Sequence, residues 1–457
     1  MGNLNSTARE EDGPPALSKR GAEAAKPAIS YLPEMLAAMG DLYDPETNPE
    51  GYVVAAAAEN KLLYKDILEP KLCEAHRKLS EVAEHELFSP YYGDMRGMPN
   101  VRKAVAGLME ELVVKKKKLD PDCLCLTPGV TSAVNMMAFV LGNPGDGVLI
   151  PAPYYPAFDN DLHTRTGLVP TPARMEKIKI DQPEDVPGLP VQWRITEASL
   201  EKGLAEAKAK GLNVRIFLLT NPENPLGFSH TVEELETVIK FVRKHKMHLI
   251  SDEIYAGDCH SAREGDATHV SVLDLTEGDD IHVLYGMSKD FGLSGHRMGF
   301  IYTENKDAVK SISSLSGFQS VSGPAQAVLY ELVSDLDFVR SYVAESNRRL
   351  RDACDKVQGH LTSLGIEFYR PTASLFFMID LRKYLSAPTW DAEMELFQTF
   401  FKNKFIITPG KACHFKEPGY YRVCFAAASE EAMALLCNRL SKVLASVQVS
   451  NAAASDE

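Results

Sequence analysis

The sequence predicts an α/β fold: a mostly parallel sheet sandwiched by helices, followed by a smaller C-terminal α+β domain. Three observations predict it. Short β-rich runs bounded by turn residues alternate with helical patterns as far as about Ser320. Capping residues mark a helix start between those runs. Beyond Ser320 the alternation gives way to one long helical stretch and then to strands with helices between and after them.

Taken in order, residues 1–28 are rich in Ala, Glu, Gly, Pro and Lys, lack a periodic apolar face and read as a mobile tail. Pro99–Val114 reads as a helix, with proline near its start and Val101, Val105, Leu108 and Leu112 at helical spacing. Leu124–Thr127, Val148–Pro151, Val214–Thr220, His248–Asp252, Ile281–Tyr285 and Gly299–Thr303 read as strands. Thr231-Val232-Glu233-Glu234 is a capping box that opens a helix running to about His245. Such alternation places helices on both faces of the sheet. Later come a helix over Asp337–Leu364 and strands near Glu367–Tyr369, Phe376–Asp380 and Tyr421–Phe425. Residues 450–457 read as a second mobile tail.

Composition narrows the function. The 457 residues, 45% hydrophobic and 25% charged, suit a soluble globular protein of two or three domains. A net charge of −14 argues against nucleic-acid or anionic-membrane partners, which need clustered Lys and Arg. The basic run Lys115–Lys118 follows a helical pattern and reads as a solvated helix C-terminus favoured by the macrodipole. None of the eight cysteines forms a Cys-x-x-Cys pair, so no metal site is expected, and free thiols suit a reducing, cytoplasmic setting. Cys123 and Cys125 are expected on opposite faces of a strand. Cys123–Gly145 is uncharged and long enough to cross a bilayer. Thr127, Pro128, Gly129, Asn135 and Asn143 make it read instead as strand, turn and buried helix. The start Met1-Gly2-Asn3-Leu4-Asn5-Ser6 fits the N-myristoylation pattern at Gly2, a short match that chance also produces. One acyl chain anchors only weakly.

Ligands of open α/β sheets bind beyond the carboxyl ends of the strands, and four of those ends carry unusual residues. Leu124–Thr127 runs into Pro128-Gly129-Val130-Thr131-Ser132 and a helix, whose free N–H groups suit a phosphate or simply a cap. His248–Asp252 ends in a carboxylate that needs a partner or else caps the next segment. Asn221-Pro222-Glu223-Asn224-Pro225-Leu226-Gly227 is a rigid turn presenting two amides, and its Asn-Pro bonds are candidates for cis geometry. Ile281–Tyr285 leads to Ser288-Lys289, with Arg297 eight residues after the lysine. A desolvated lysine offers a free amine for Schiff-base chemistry, and an arginine nearby can grip a phosphate. Each feature alone has a structural explanation. Together, an amine, a carboxylate for a ring nitrogen and an anion site are the requirements of pyridoxal 5′-phosphate (PLP).

The chain resembles the class I aminotransferases, in the branch of the 1-aminocyclopropane-1-carboxylate synthases and their non-plant relatives, over roughly Ser30 to Ala445. Its signatures stand in family order: Ala58-Glu59-Asn60, Tyr92 to Gly97, Thr127 to Thr131, Pro153-Tyr154-Tyr155-Pro156, Asn221 to Gly227, Ser251 to Tyr255, Ser288 to Gly292, and Arg422 within Tyr420 to Phe425. The resemblance implies PLP fold type I, with an N-terminal arm over 29–60, a large cofactor-binding domain over 61–320 and a small domain over 321–449. It implies Lys289 as Schiff-base lysine and proton carrier, and Asp252 as partner of the ring nitrogen. Asn224 and Tyr255 match the donors to the ring's 3′ oxygen, Tyr155 (or Tyr154) the stacked aromatic, and Val130, Thr131 and Arg297 the phosphate site. Arg422 matches the grip on the substrate carboxylate, and Glu59 a position near the substrate amino group.

Two departures stand out. Met95 replaces a tyrosine of the plant cyclopropane synthases that reaches the neighbouring subunit's phosphate, a task Tyr92 is placed to take over. Gly286 replaces a common phosphate-binding serine. The resemblance implies a homodimer and, for the reaction, transamination of an amino acid. The alternatives are α,γ-elimination from S-adenosylmethionine and carbon–sulfur β-elimination, Glu59 favouring and Met95 disfavouring the cyclopropane branch. A non-catalytic binding module is the contrasting class, and the presence of Lys289, Asp252 and Arg422 argues against it.

Overall fold

The computed structural model of the protein describes residues 17–26, 29–81, 93–180, 186–262 and 266–455. Seven strands form the central sheet: β1 (Leu124–Thr127), β2 (Gly147–Ala152), β3 (Val169–Arg174), β4 (Val214–Thr220), β5 (His248–Asp252), β6 (Ile281–Gly286) and β7 (Gly299–Thr303). Their order is β1-β7-β6-β5-β4-β2-β3. Only β7 runs against its neighbours β1 and β6; the other four pairings are parallel.

Period-two alternation buries both faces. Leu126, Phe217, Leu219, Val283 and Phe300 join one core with the helices Pro99–Leu112 and Val232–Lys244. Cys125, Ile216, Leu218, Ile250 and Leu284 face the opposite core, under the helices Val130–Leu141 and Lys306–Ser316. The capping box is present as read: Thr231 Oγ1 accepts from Glu234 N, and the Glu234 carboxylate accepts from Thr231 N at 2.9 Å. Cys123 packs from the other side to Cys125, in a short 3-10 turn just before β1.

The later residues form an antiparallel sheet of β8 (Glu367–Phe368), β9 (Phe376–Asp380), β10 (Thr408–Pro409) and β11 (Tyr420–Cys424), in the order β8-β9-β11-β10. It packs on Leu350, Cys354 and Leu361 of the long helix Leu336–Ser363 and on Leu436 and Leu440 of the last helix. Ile254 and Tyr255, just past β5, sit in this same core, so the second sheet lies against the carboxyl end of the first.

Three local readings change. The helix from Pro99 stops at Leu112, because Val113 and Val114 turn into the core, and Lys115–Lys118 lies beyond it. That run keeps a tie to the helix end, Lys115 Nζ donating to Glu111 O, and is otherwise held by acids. Asp274 accepts from the backbone of Lys115 and Lys116, Lys117 pairs with Glu304 at 2.6 Å, and Lys118 pairs with Glu110 at 2.6 Å. At the C-terminus the helix Glu430–Ser455 continues through the residues that read as a tail, as the helix-favouring run Ala452-Ala453-Ala454 allows. Near the N-terminus, Lys19–Ala24 is a short helix capped by Ser18 with no buried residue. Among the described residues no helix is long and apolar enough to cross a membrane.

Candidate active site

Parallel pairing brings the strand ends level. Thr220 of β4 pairs with Asp252 of β5, and Asp252 with Leu284 of β6, so the turns that follow open at one edge. There they surround a cavity of about 160 Å³, which Val130, Thr131, Tyr155, Asn224, Asp252 and Lys289 line together with Tyr255 and Arg297. Eight residues singled out from five separate stretches of sequence thus meet in one place.

Lys289 lies three residues past the end of β6 and donates from Nζ to Ala58 O at 2.7 Å. Burial, reinforced by the Arg422 charge, lowers its ammonium below the ordinary lysine value. Asp252, at the tip of β5, accepts from Ile254 N at 3.3 Å. Burial pushes its carboxyl up to about 7, against the pull of that hydrogen bond and of Lys289. It is therefore a carboxyl that lacks a full cationic partner.

The two asparagines of the Asn-Pro turn separate in role. Both Asn-Pro bonds are cis, as is Ala152-Pro153. Asn221 is spent on the fold, accepting from His230 N at 3.1 Å and donating to Val270 O at 3.0 Å. Asn224 faces the cavity and donates from Nδ2 to the Tyr255 hydroxyl at 3.3 Å. Its Oδ1 accepts from Arg422 Nη1 at 2.8 Å. Arg422, on β11, is buried, its Nη2 donating to Ala56 O at 2.6 Å and its guanidinium lying 4.8 Å from the Phe376 ring centroid. Its Nε is a buried donor with no partner among the described residues, and Arg422, like Glu59, stays outside the lining.

The adjacent tyrosines also divide. Tyr154 is occupied elsewhere, donating to Asp159 Oδ1 at 2.8 Å and stacking on His414 with ring centroids 4.2 Å apart. Tyr155 lines the cavity, and burial raises its phenol. Glu59 stays outside the lining but is joined to it through Ser294, whose hydroxyl donates to Glu59 Oε1 at 2.9 Å. Burial opposes ionisation there, yet that hydroxyl and Lys61 keep the Glu59 carboxyl below its usual value. Tyr92 and Gly2 lie outside the described residues. Met95 is half-buried in a turn fixed by Leu126 N donating to Arg96 O at 2.7 Å.

Sequence reasoning missed Ser294 and Asp161, which also line the cavity. Asp161 lies on the short helix Phe158–His163, three residues after Phe158, which shares the lining. Its only sequence signal was that i,i+3 spacing next to Tyr155.

The residues present fit PLP. Gly129 (φ +86°) opens the helix Val130–Leu141 without a side-chain cap, leaving first-turn N–H groups for an anion. A Cβ on Gly129 would stand 2.4 Å from Arg297 Nη2, so glycine keeps the arginine against the helix N-terminus. A Cβ on Gly286 would meet Met298 O at 2.7 Å and Val130 Cγ2 at 3.0 Å, which explains the missing serine by close packing of β6 on its neighbours. The incompletely paired Asp252 and the orphaned Arg422 Nε are donor and acceptor capacity that the protein alone does not use.

The family description "aminotransferase class I and II" matches residues 59–440. 1-aminocyclopropane-1-carboxylate synthase 4 of Arabidopsis thaliana is 35% identical over 416 residues, 87% of this chain and 83% of its own. The 1-aminocyclopropane-1-carboxylate synthase of Malus domestica is 36% identical over 411 residues, 86% and 82% of the two chains. Among solved structures, aspartate aminotransferase from Thermus thermophilus with maleate superposes with a TM-score of 0.74 at 21% identity, covering 94% of this chain and 100% of that one. An aromatic aminotransferase from Pyrococcus horikoshii gives 0.71 at 20% identity, covering 87% and 96%. These structural likenesses bear on the fold, which is PLP fold type I.

Proposed function

The chain belongs to the aminotransferase class I and II family and is a PLP-dependent enzyme acting on an amino acid, and we propose that its reaction is transamination. The observation that carries this reading is Lys289: among the residues lining the cavity it is the only amine, and its surroundings lower its ammonium below the ordinary lysine value. A neutral amine can take a proton from the substrate Cα and deliver it to a second atom, which transamination requires.

When bound, PLP supplies an aldehyde for amines and a ring that accepts electrons. In this reading Asp252 keeps the ring nitrogen protonated, Asn224 and Tyr255 donate to the ring's 3′ oxygen, and Tyr155 packs on the ring. Val130, Thr131 and Arg297 hold the phosphate. Arg422 binds the substrate carboxylate through a guanidinium whose Nε is free to donate. Glu59 stands near the substrate amino group, its charge maintained by Lys61 and Ser294. By analogy with the family we also infer a homodimer, with Tyr92 serving the neighbouring site in place of Met95. The eight free cysteines support a reducing, cytoplasmic setting.

A second reading draws on the names of the relatives, cyclopropane synthases at about 35% identity: α,γ-elimination from S-adenosylmethionine. Both reactions begin with loss of the Cα proton to Lys289 and differ in where that proton and the electrons go next. The test is a half-reaction of cofactor-loaded protein with amino acids or S-adenosylmethionine, without keto acid. Transamination predicts loss of the cofactor's visible band in proportion to enzyme, and its return on adding keto acid. A band that persists through many turnovers overturns transamination in favour of a lyase.

A further inference from the structure

Of the ionisable side chains that line the cavity, Asp161 is the one the reaction above leaves without a task. Its backbone is tied down, the N–H donating to Ala157 O at 2.9 Å and the C=O accepting from Asn135 Nδ2 at 3.0 Å. The residue is 7% exposed, and its carboxyl makes no hydrogen bond with any described residue. The exposed remnant belongs to a residue that lines the cavity, so the carboxyl is dry on the protein side and open on the ligand side.

The charges around it are few. Asp252 at the tip of β5 shares the lining with Asp161, as do Tyr155, Tyr255, Lys289 and Arg297. The helix Val130–Leu141, which packs on the Asp161 helix, brings Val130, Thr131 and Val134 to the cavity and no ionisable group among them. Two carboxyls therefore face one small cavity, and a single ring-nitrogen proton can offset only one negative charge.

We propose that Asp161 is a cofactor-holding residue: it stays a neutral acid, which leaves Asp252 the one negative charge presented to the cofactor's ring nitrogen, and it donates its O–H on the open, ligand side of the cavity. Burial and the neighbouring Asp252 both push the Asp161 carboxyl up, to about 7, the direction this division of labour needs. The inference rests on the assignment of Asp252 made above.

The test uses cofactor-loaded protein and reads release of PLP into cofactor-free buffer, from about pH 7 to 9, beside the melting of the cofactor-free form. Asp161→Leu, neutral but unable to donate, is expected to release cofactor roughly tenfold faster, the scale of one buried hydrogen bond. Asp161→Asn, neutral and able to donate, is expected to recover most of that loss. Its release rate should also stay flat where the wild-type rate climbs with pH as Asp161 ionises. Wild-type release by Asp161→Leu overturns the proposal, and so does Asp161→Asn behaving like Asp161→Leu. Should the leucine variant fail to fold, the pH profile of Asp161→Asn decides alone: a climb matching wild type overturns the proposal. Asp252→Ala separates the two layers. If it keeps its cofactor, the assignment of Asp252 fails. If it loses the cofactor while both Asp161 variants match wild type, only the present inference fails.

Discussion

Arg422 donates to Asn224 Oδ1 at 2.8 Å, tying a strand of the second sheet to the turn after β4 in the first. Asn224 passes the contact on to Tyr255, so a group proposed to hold substrate and two proposed to hold cofactor form one buried chain. On the proposed assignment, substrate at Arg422 would be felt at the cofactor ring through this chain.

Arg422→Lys tests this chain. Lysine keeps the charge and loses the fork that reaches Asn224, Ala56 and Thr408. The expected result is a fall in kcat/KM of roughly tenfold to a hundredfold, carried mainly by KM, at about 1.5–3 kcal/mol for a charged hydrogen bond. A shift in the bound cofactor's visible absorbance should accompany it. Steady-state kinetics with the preferred amino acid, beside an absorbance spectrum, measures both.

In the cofactor-free protein Asp252 and Asp161 should each subtract stability as pH rises from about 4 to about 7, while the buried His260 and His282, held below the ordinary imidazole value, add to it in the same window. Asp252 and Asp161 each have a folded pKa of about 7, above the ordinary carboxyl value. In that window the unfolded chain has released protons that the folded chain keeps on these carboxyls, so their contribution to folding falls with rising pH. Glu393, buried beneath Lys411 and Gly419, behaves alike, so the diagnostic is a difference between variants. Asp252→Asn should remove its share of that loss, at most about 4 kcal/mol. Thermal melts from pH 4 to 8, wild type against variant, give the comparison; parallel curves contradict it.

Cofactor attachment should respond to pH in the opposite sense. Burial and Arg422 lower the Lys289 ammonium of the cofactor-free protein, so its amine becomes neutral at a lower pH than a surface lysine and the rate of PLP attachment should rise through that range. A Lys289→Arg variant, which cannot supply a neutral amine, is expected to retain no activity at any pH in a rate profile.

Gly286→Ser should not restore a phosphate contact. Its Cβ would press on Met298 O, at 2.7 Å, where β6 meets β7. The cost is expected to be about 1–3 kcal/mol with unchanged or weaker cofactor affinity. Melting temperature and a PLP titration check it.

Much of this was legible in the sequence because it rests on local rules. The apolar alternation Leu124, Cys125, Leu126 foretold a strand buried on both faces, and Thr231 with Glu234 foretold a capped helix. Lys289 and Asp252 stood out by their place at strand ends. What escaped was long-range. Lys115 and Lys118 keep to the end of the helix, on Glu111 O and Glu110, but the Lys116 backbone and the Lys117 side chain find Asp274, Glu277 and Glu304, which helical pattern alone does not place. The choice between Tyr154 and Tyr155 depended on His414 and Asp159 claiming the first. Asp161 drew no notice in the sequence, because only the folded chain brings it into the same cavity lining as Asp252.

The most direct test of the central claim is reductive trapping. Cofactor-loaded protein is treated with borohydride, digested and mapped by mass. The account predicts one stoichiometric phosphopyridoxyl adduct, on Lys289, and none in Lys289→Ala. An adduct on any other lysine, or none on the wild-type chain, would contradict it.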